Sequence, residues 1–333
     1  MKKFIQILIG IVLIVLIFTW VDFDEVKSSL RTFKYEYLLY SFLVITADRI
    51  LMAYKWKLLL KTKQIKLSLF EATKIYYIAN FLGLFLPSTV GTDIVRTYYT
   101  SKKGASKTNI ISVIIVERII GFLCLFIFAI TGLVVLINIT SNLNYNSTKL
   151  LLALLTFTTI IIIAFLASLN SRVVNTIVNF LSSKKNKKFW SKFAPAIIEL
   201  ITSYNSHKEY KFVLLIFSVL TFLEIFLSVC WAYLIALGLN AHIDFIYFIA
   251  FLPLVILLGR MPVSFDGFGL KEGMFVYFLT RTGISSAMAF NIGFLNHLIT
   301  IVGILPGGIF YLFNRDLKEI KSTGKQYVKY PVI

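Results

Sequence analysis

The sequence predicts an all-α integral membrane protein: a polytopic helical bundle of about six full spans plus two re-entrant helical hairpins, with a possible inverted repeat. Three observations predict it. Hydrophobic residues make up 58% of the 333 and charged residues only 15%, far from the mix of a soluble globular domain. Apolar stretches of roughly 20 residues, the length that crosses a hydrocarbon core, recur along the chain. Two further apolar regions are each interrupted by proline, glycine and charge. Backbone polar groups in lipid need internal partners, so such segments are helices, and the short alternating strands of a barrel are not seen in the sequence.

The elements follow in order. Lys2 and Lys3 precede an apolar run at 5–21, as in a secretory signal, but Trp20, Asp22 and Asp24 follow it instead of a small-residue cleavage site. It is read as a retained first helix. Further full spans are expected at 37–54, 110–137, 150–169, 212–237 and 287–313. The first interrupted region is broken by Leu86, Pro87, Ser88, Thr89, Val90 and Gly91, and the second between Gly259 and Gly273. Each flank is about half a span. Both regions therefore read as hairpins, over about 70–99 and 245–283, the first entering from the cytoplasm and the second from outside. The polar stretch 171–211 reads as a cytoplasmic connector with surface helices. Everything belongs to one transmembrane domain, 1–333.

Net charge is +18. Its placement explains it: 23 Lys and Arg fall in the N-terminus, the 55–66 and 102–107 loops, the 172–211 linker and the tail. Only four, Lys27, Arg31, Lys34 and Lys149, fall in the opposite loops. That bias puts both termini in the cytoplasm, with the basic loops against anionic headgroups of the cell membrane. A solvated basic face at a membrane accounts for the charge, so no nucleic-acid partner is expected. Cys124 and Cys230 lie in apolar spans, and His207, His242 and His297 are scattered. No metal and no cofactor is expected from such spacing.

An ionisable group at membrane depth costs roughly 3 kcal/mol or more, so it needs a partner, a water-filled cavity or a task. Asp48, Arg49 and Glu224 lie within spans. The strongest candidates for substrate binding lie at the breaks or mid-span: Asp93, Arg96, Glu117, Arg118, Arg260, Asp266, Lys271 and Glu272. Broken helices expose N–H groups and a positive dipole end that suit an anion. Pro87, Gly91, Gly267, Gly269 and Gly273 are candidate hinges or close-approach positions. Pro87 precedes Arg96 by nine residues and Pro262 precedes Lys271 by nine, with Gly91 and Gly267 between. Paired interrupted segments of this kind are what an inverted repeat leaves in a sequence. The glycine-rich stretch at 264–273 lacks the preceding strand of a nucleotide-binding loop.

The order of these motifs resembles a known family. Leu86, Pro87 and Gly91 through Arg96, then Glu117, Arg118 and Gly121, then Pro262 through Gly267, Gly269, Lys271 and Glu272, then Leu305, Pro306, Gly307 and Gly308 are similar to the lysylphosphatidylglycerol synthase transmembrane family. The resemblance covers nearly the whole chain and points to a stand-alone member. It implies a bundle with two re-entrant helices and a central polar cavity, lined by the pairs named above. It also implies movement of a polar-headed lipid between leaflets, a phospholipid or a lipid-linked glycan carrier with an anionic or zwitterionic headgroup. The family's synthases carry an aminoacyltransferase domain that is not found in this sequence, so lipid aminoacylation is not expected. A separate lipid-modifying enzyme and a second copy of the chain are candidate partners. Two rival readings are an integral-membrane transferase acting on a lipid-linked substrate and a small-solute secondary transporter.

Overall fold

In a computed structural model the chain is described over residues 22–86, 89–140, 145–183, 190–260 and 263–313, with scattered positions between 8 and 19. Those described from 8 to 17 are helical; the rest of the expected first span, the prolines Pro87 and Pro262, and the C-terminal tail lie outside the described residues. Thirteen labelled helices follow. They are α1 (Phe23–Arg31), α2 (Glu36–Lys61), α3 (Leu69–Gly83), α4 (Thr89–Ser101), α5 (Lys107–Thr140), α6 (Tyr145–Leu169) and α7 (Ser171–Ser183). After them come α8 (Trp190–Asn205), α9 (Lys211–Gly238), α10 (Phe245–Gly259), α11 (Leu270–Leu279), α12 (Ser286–Val302) and α13 (Pro306–Leu312).

Length separates spans from hairpins. At 1.5 Å per residue, 26-residue α2 reaches about 39 Å and 15-residue α3 about 22 Å, against roughly 30 Å of hydrocarbon. Helices α3 and α4 pack on each other, as do α10 and α11, giving the two hairpins. Local chemistry sets several starts. Asp22 accepts from the backbone of Asp24 and Glu25 at the head of α1. Ser68 and Glu71 form a capping box on α3, and Ser285 caps α12. The outward faces are apolar at helical spacing: Phe212, Leu215, Val219 and Leu223 on α9, and Leu152, Leu155, Ile163 and Leu166 on α6, are exposed. Such a face belongs in lipid.

The two halves exchange partners. The first hairpin packs its α3 on α13, from the span after the second hairpin; the second packs its α10 on α5, the span after the first. Each exchange turns on one glycine. A Cβ on Gly132 would fall on the backbone oxygen of Ala250, with the carbonyl carbon only 3.0 Å away. A Cβ on Gly307 would fall on the oxygen of Tyr77, its carbonyl carbon at 2.7 Å. Gly132 lies 36 residues after Arg96, and Gly307 lies 36 after Lys271. This reciprocal packing is the arrangement an inverted repeat produces, and its close helix contacts are those small residues allow in lipid. Gly132→Ala and Gly307→Ala are each expected to destabilise by about 1–3 kcal/mol, since backbone must move. Gly121→Ala, where a Cβ meets nothing within 4 Å, should leave thermal unfolding in detergent unchanged.

The last span breaks at Gly303–Leu305 into α12 and α13, beside the Leu305, Pro306, Gly307 and Gly308 motif, and α13 packs on the first hairpin. Two expectations are corrected. Helix α2 runs to Lys61, so Lys55 and Lys57 lie within it and not in a loop. Gly273 is no close-approach point, because a Cβ there would meet only Ile17 Cδ1 at 3.6 Å, an ordinary contact.

Candidate functional site

The first hairpin delivers two charges to one face of α4, Asp93 and Arg96, three residues apart. Its turn is closed by glycine: a Cβ on Gly91 would lie 2.6 Å from Leu86 Cδ1. Opposite, α5 presents Glu117 and Arg118. Arg96 is 3% exposed. Its Nη1 donates to both Glu117 oxygens, at 3.0 and 2.8 Å, and its Nη2 to Asp93 Oδ1 at 2.7 Å. The guanidinium lies 5.4 Å from the ring centroids of both Trp56 and Tyr76. Arg118 donates from Nε and Nη2 to Asp93 Oδ2 at 3.2 and 2.7 Å. Asp93 thus bridges two arginines, and Arg96 bridges two carboxylates. The planar fork of arginine suits this bidentate work.

The second break is built differently. Gly267 (φ +76°) and Gly269 (φ +81°) occupy left-handed conformations that glycine adopts at no steric cost. Asp266 holds φ +51° between them and the chain before, an unfavourable region for a residue with a side chain. The stem of Lys271 lies across Gly259 and Gly267: a Cβ at either would come within 2.9 and 2.7 Å of Lys271 Cε. Glu272 is fully buried, and its Oε2 accepts the Gly269 N–H at 2.7 Å, capping α11. Its Oε1 lies 2.7 Å from His297 Nδ1, and Asp266 Oδ2 lies 3.1 Å from His297 Nε2. Arg260, just past α10, places its guanidinium 5.4 Å from the Phe122 centroid, one turn beyond Arg118. It is exposed, with no carboxylate within ion-pair distance among the described residues.

A third group lies between α2 and α9. Lys55 is buried and pairs with Glu224. Asp48, 2% exposed, sits 3.9 Å from Arg49 Nη1. The three groups sit on helices that pack together: α2 on α3, α5, α9 and α12, and α5 on α4 and α10. This polar seam holds six cations, Arg49, Lys55, Arg96, Arg118, Arg260 and Lys271. It holds six acids, Asp48, Asp93, Glu117, Glu224, Asp266 and Glu272. A balanced seam is how this much charge is tolerated at membrane depth.

The eight candidates from the sequence fall into this seam, but not in equal roles. Arg96 was expected to hold a headgroup. Its burial and its pairing with Glu117 and Asp93 make it a fastener between hairpin and span. Arg118, Arg260 and Lys271 are the cations with exposed side-chain surface. Sequence reasoning missed His297, which lies 25 residues after Glu272 with no local pattern to mark it. It also missed Lys55, whose partner is 169 residues away; a lysine that ends a hydropathy window reads as a loop.

Paired hairpins with swapped packing, apolar outer faces and an internal charged seam define a polytopic α-helical membrane protein with a polar site inside the bundle. The chain belongs to the family of the lysylphosphatidylglycerol synthase TM region, whose model matches residues 4–308. It is also similar to a UPF0104 membrane protein of Pyrococcus horikoshii, 21% identical over 337 residues, covering 95% of this chain and 98% of that protein. No solved structure matches the chain.

Proposed function

We propose that this protein moves a polar-headed lipid, with an anionic or zwitterionic headgroup, between leaflets along the seam. One observation carries the reading: charges gathered at two helix breaks inside a bundle whose outer faces are apolar. The acyl chains stay in the surrounding lipid while the headgroup exchanges its water for Arg118, Arg260 and Lys271. Asp93 holds Arg118 in place, and Asp266 lies 4.0 Å from Lys271. Transport accounts for this arrangement better than group transfer does, because the acids are bound to arginine, histidine and backbone N–H instead of facing a reacting atom. The basic ends of the spans support a cell-membrane orientation with both termini in the cytoplasm.

The test is translocation of fluorescent lipids in proteoliposomes, read by dithionite quenching across several headgroup classes. Flipping above empty liposomes that depends on the headgroup is expected. Arg260→Ala, which removes an exposed cation and leaves the Arg96 network intact, should slow it about tenfold or more, the loss of one charge-assisted contact. Equal rates in this variant and the wild type would refute the assignment of Arg260.

A further inference from the structure

We propose that Asp266, His297 and Glu272 form a proton-binding site that latches the second helix break. The argument is one of donors and acceptors. A carboxylate only accepts, and a neutral imidazole has a single N–H. Yet both ring nitrogens of His297 lie at hydrogen-bond distance from carboxylate oxygens, 2.7 Å to Glu272 and 3.1 Å to Asp266. With a neutral ring and two ionised carboxylates, one contact would set lone pair against lone pair in a site where His297 is 2% exposed. The geometry needs one more proton.

The surroundings say where that proton sits. Glu272 heads α11 and its Oε2 already accepts the Gly269 N–H, which leaves Oε1 to accept from the ring. The Asp266 side chain is 49% exposed. The filled site is therefore an imidazolium donating Nδ1–H to Glu272 and Nε2–H to Asp266, with the Phe268 ring centroid 5.0 Å from its own. On release the Nε2 proton leaves through the Asp266 carboxyl to water. The ring keeps Nδ1–H on Glu272, and its bare Nε2 then repels Asp266.

Helices α11, α2, α9 and α1 pack on α12. Helix α11 brings Glu272 and Lys271, the latter 4.0 Å from Asp266 Oδ1 and ready to take it over. Helix α2 brings Arg49 and, beside it, Asp48. Helix α9 brings Glu224, held by Lys55. Helix α1 meets Asn291 through Val26 and Ser29, without charge. Proton loss thus passes Asp266 from His297 to Lys271, and the strained turn at φ +51° loses the contact that holds it.

The chain contains three histidines, His207, His242 and His297, so its ¹⁵N-histidine spectrum in liposomes is simple, and His297→Gln assigns the third resonance. Both His297 nitrogens are expected to carry protons near neutral pH. In Asp266→Asn, at a half-exposed position that tolerates the change, the ratio of doubly to singly protonated ring should fall about tenfold, one partner's worth of charge. A wild-type His297 with one bare nitrogen at neutral pH, or a ratio unmoved by Asp266→Asn, would overturn the proposal. The spectrum reads the ring directly, so this result is independent of whether any lipid moves.

Discussion

Arg96→Ala is expected to remove about 3–5 kcal/mol of stability, enough to unfold much of the protein at ordinary temperature. The side chain is 3% exposed and supplies three hydrogen bonds to two acids on different helices. Without it Glu117 has no ion-pair partner among the described residues, and Asp93 keeps only Arg118. Two rings also lose the cation between them. The check is thermal unfolding in detergent, together with Arg96→Lys. A lysine is a point charge without a fork, so it should recover only part of the loss. Arg96→Ala with wild-type stability would show that Glu117 and Asp93 reach water or protons freely, and that the buried network is not what closes the first hairpin. The contrast with Arg260→Ala, which should fold normally and fail in transport, separates fastening from handling within one seam.

Lys55→Met is the second large effect, also about 3–5 kcal/mol, for the same physical reason in a different place. Lys55 is 4% exposed, and its ammonium faces Glu224 and the Phe217 ring at 4.6 Å. Removing it leaves an acid inside the α2–α9 contact. The informative variant is the pair, Lys55→Met with Glu224→Met, in which both charges leave together. Replacing a buried ion pair by apolar groups is often neutral or stabilising, so the pair should regain most of what the single change lost. A double-mutant cycle by chemical or thermal denaturation reads the coupling. Additive losses would mean that the two side chains do not depend on each other.

Much of this fold is legible in the amino-acid order because lipid leaves few options. Long apolar runs must be helices, and a proline–glycine break in the middle of a run leaves halves too short to cross. The two hairpins could thus be placed before any coordinates, as could the charged pairs at their breaks. What could not be read depends on distance along the chain. Gly132 inside α5 looks like any small residue in an apolar run until Ala250 is seen against it. Lys55 ends a hydropathy window, and only Glu224 across the bundle makes it interior. His297 becomes part of a site because α12 folds back on α11. The surroundings of Arg96 are hidden for a related reason: its sequence neighbourhood shows the charge but not that Glu117, on another helix, pairs with it.

The fixed charges of the seam have an electrical consequence. The six cations, the six acids and the His297 ring stay fixed in the bundle, so whatever charge the lipid brings is the charge that crosses. A zwitterion would then pass without electrical work. A singly anionic lipid would be driven or opposed by the membrane potential at about 2.3 kcal/mol per 100 mV.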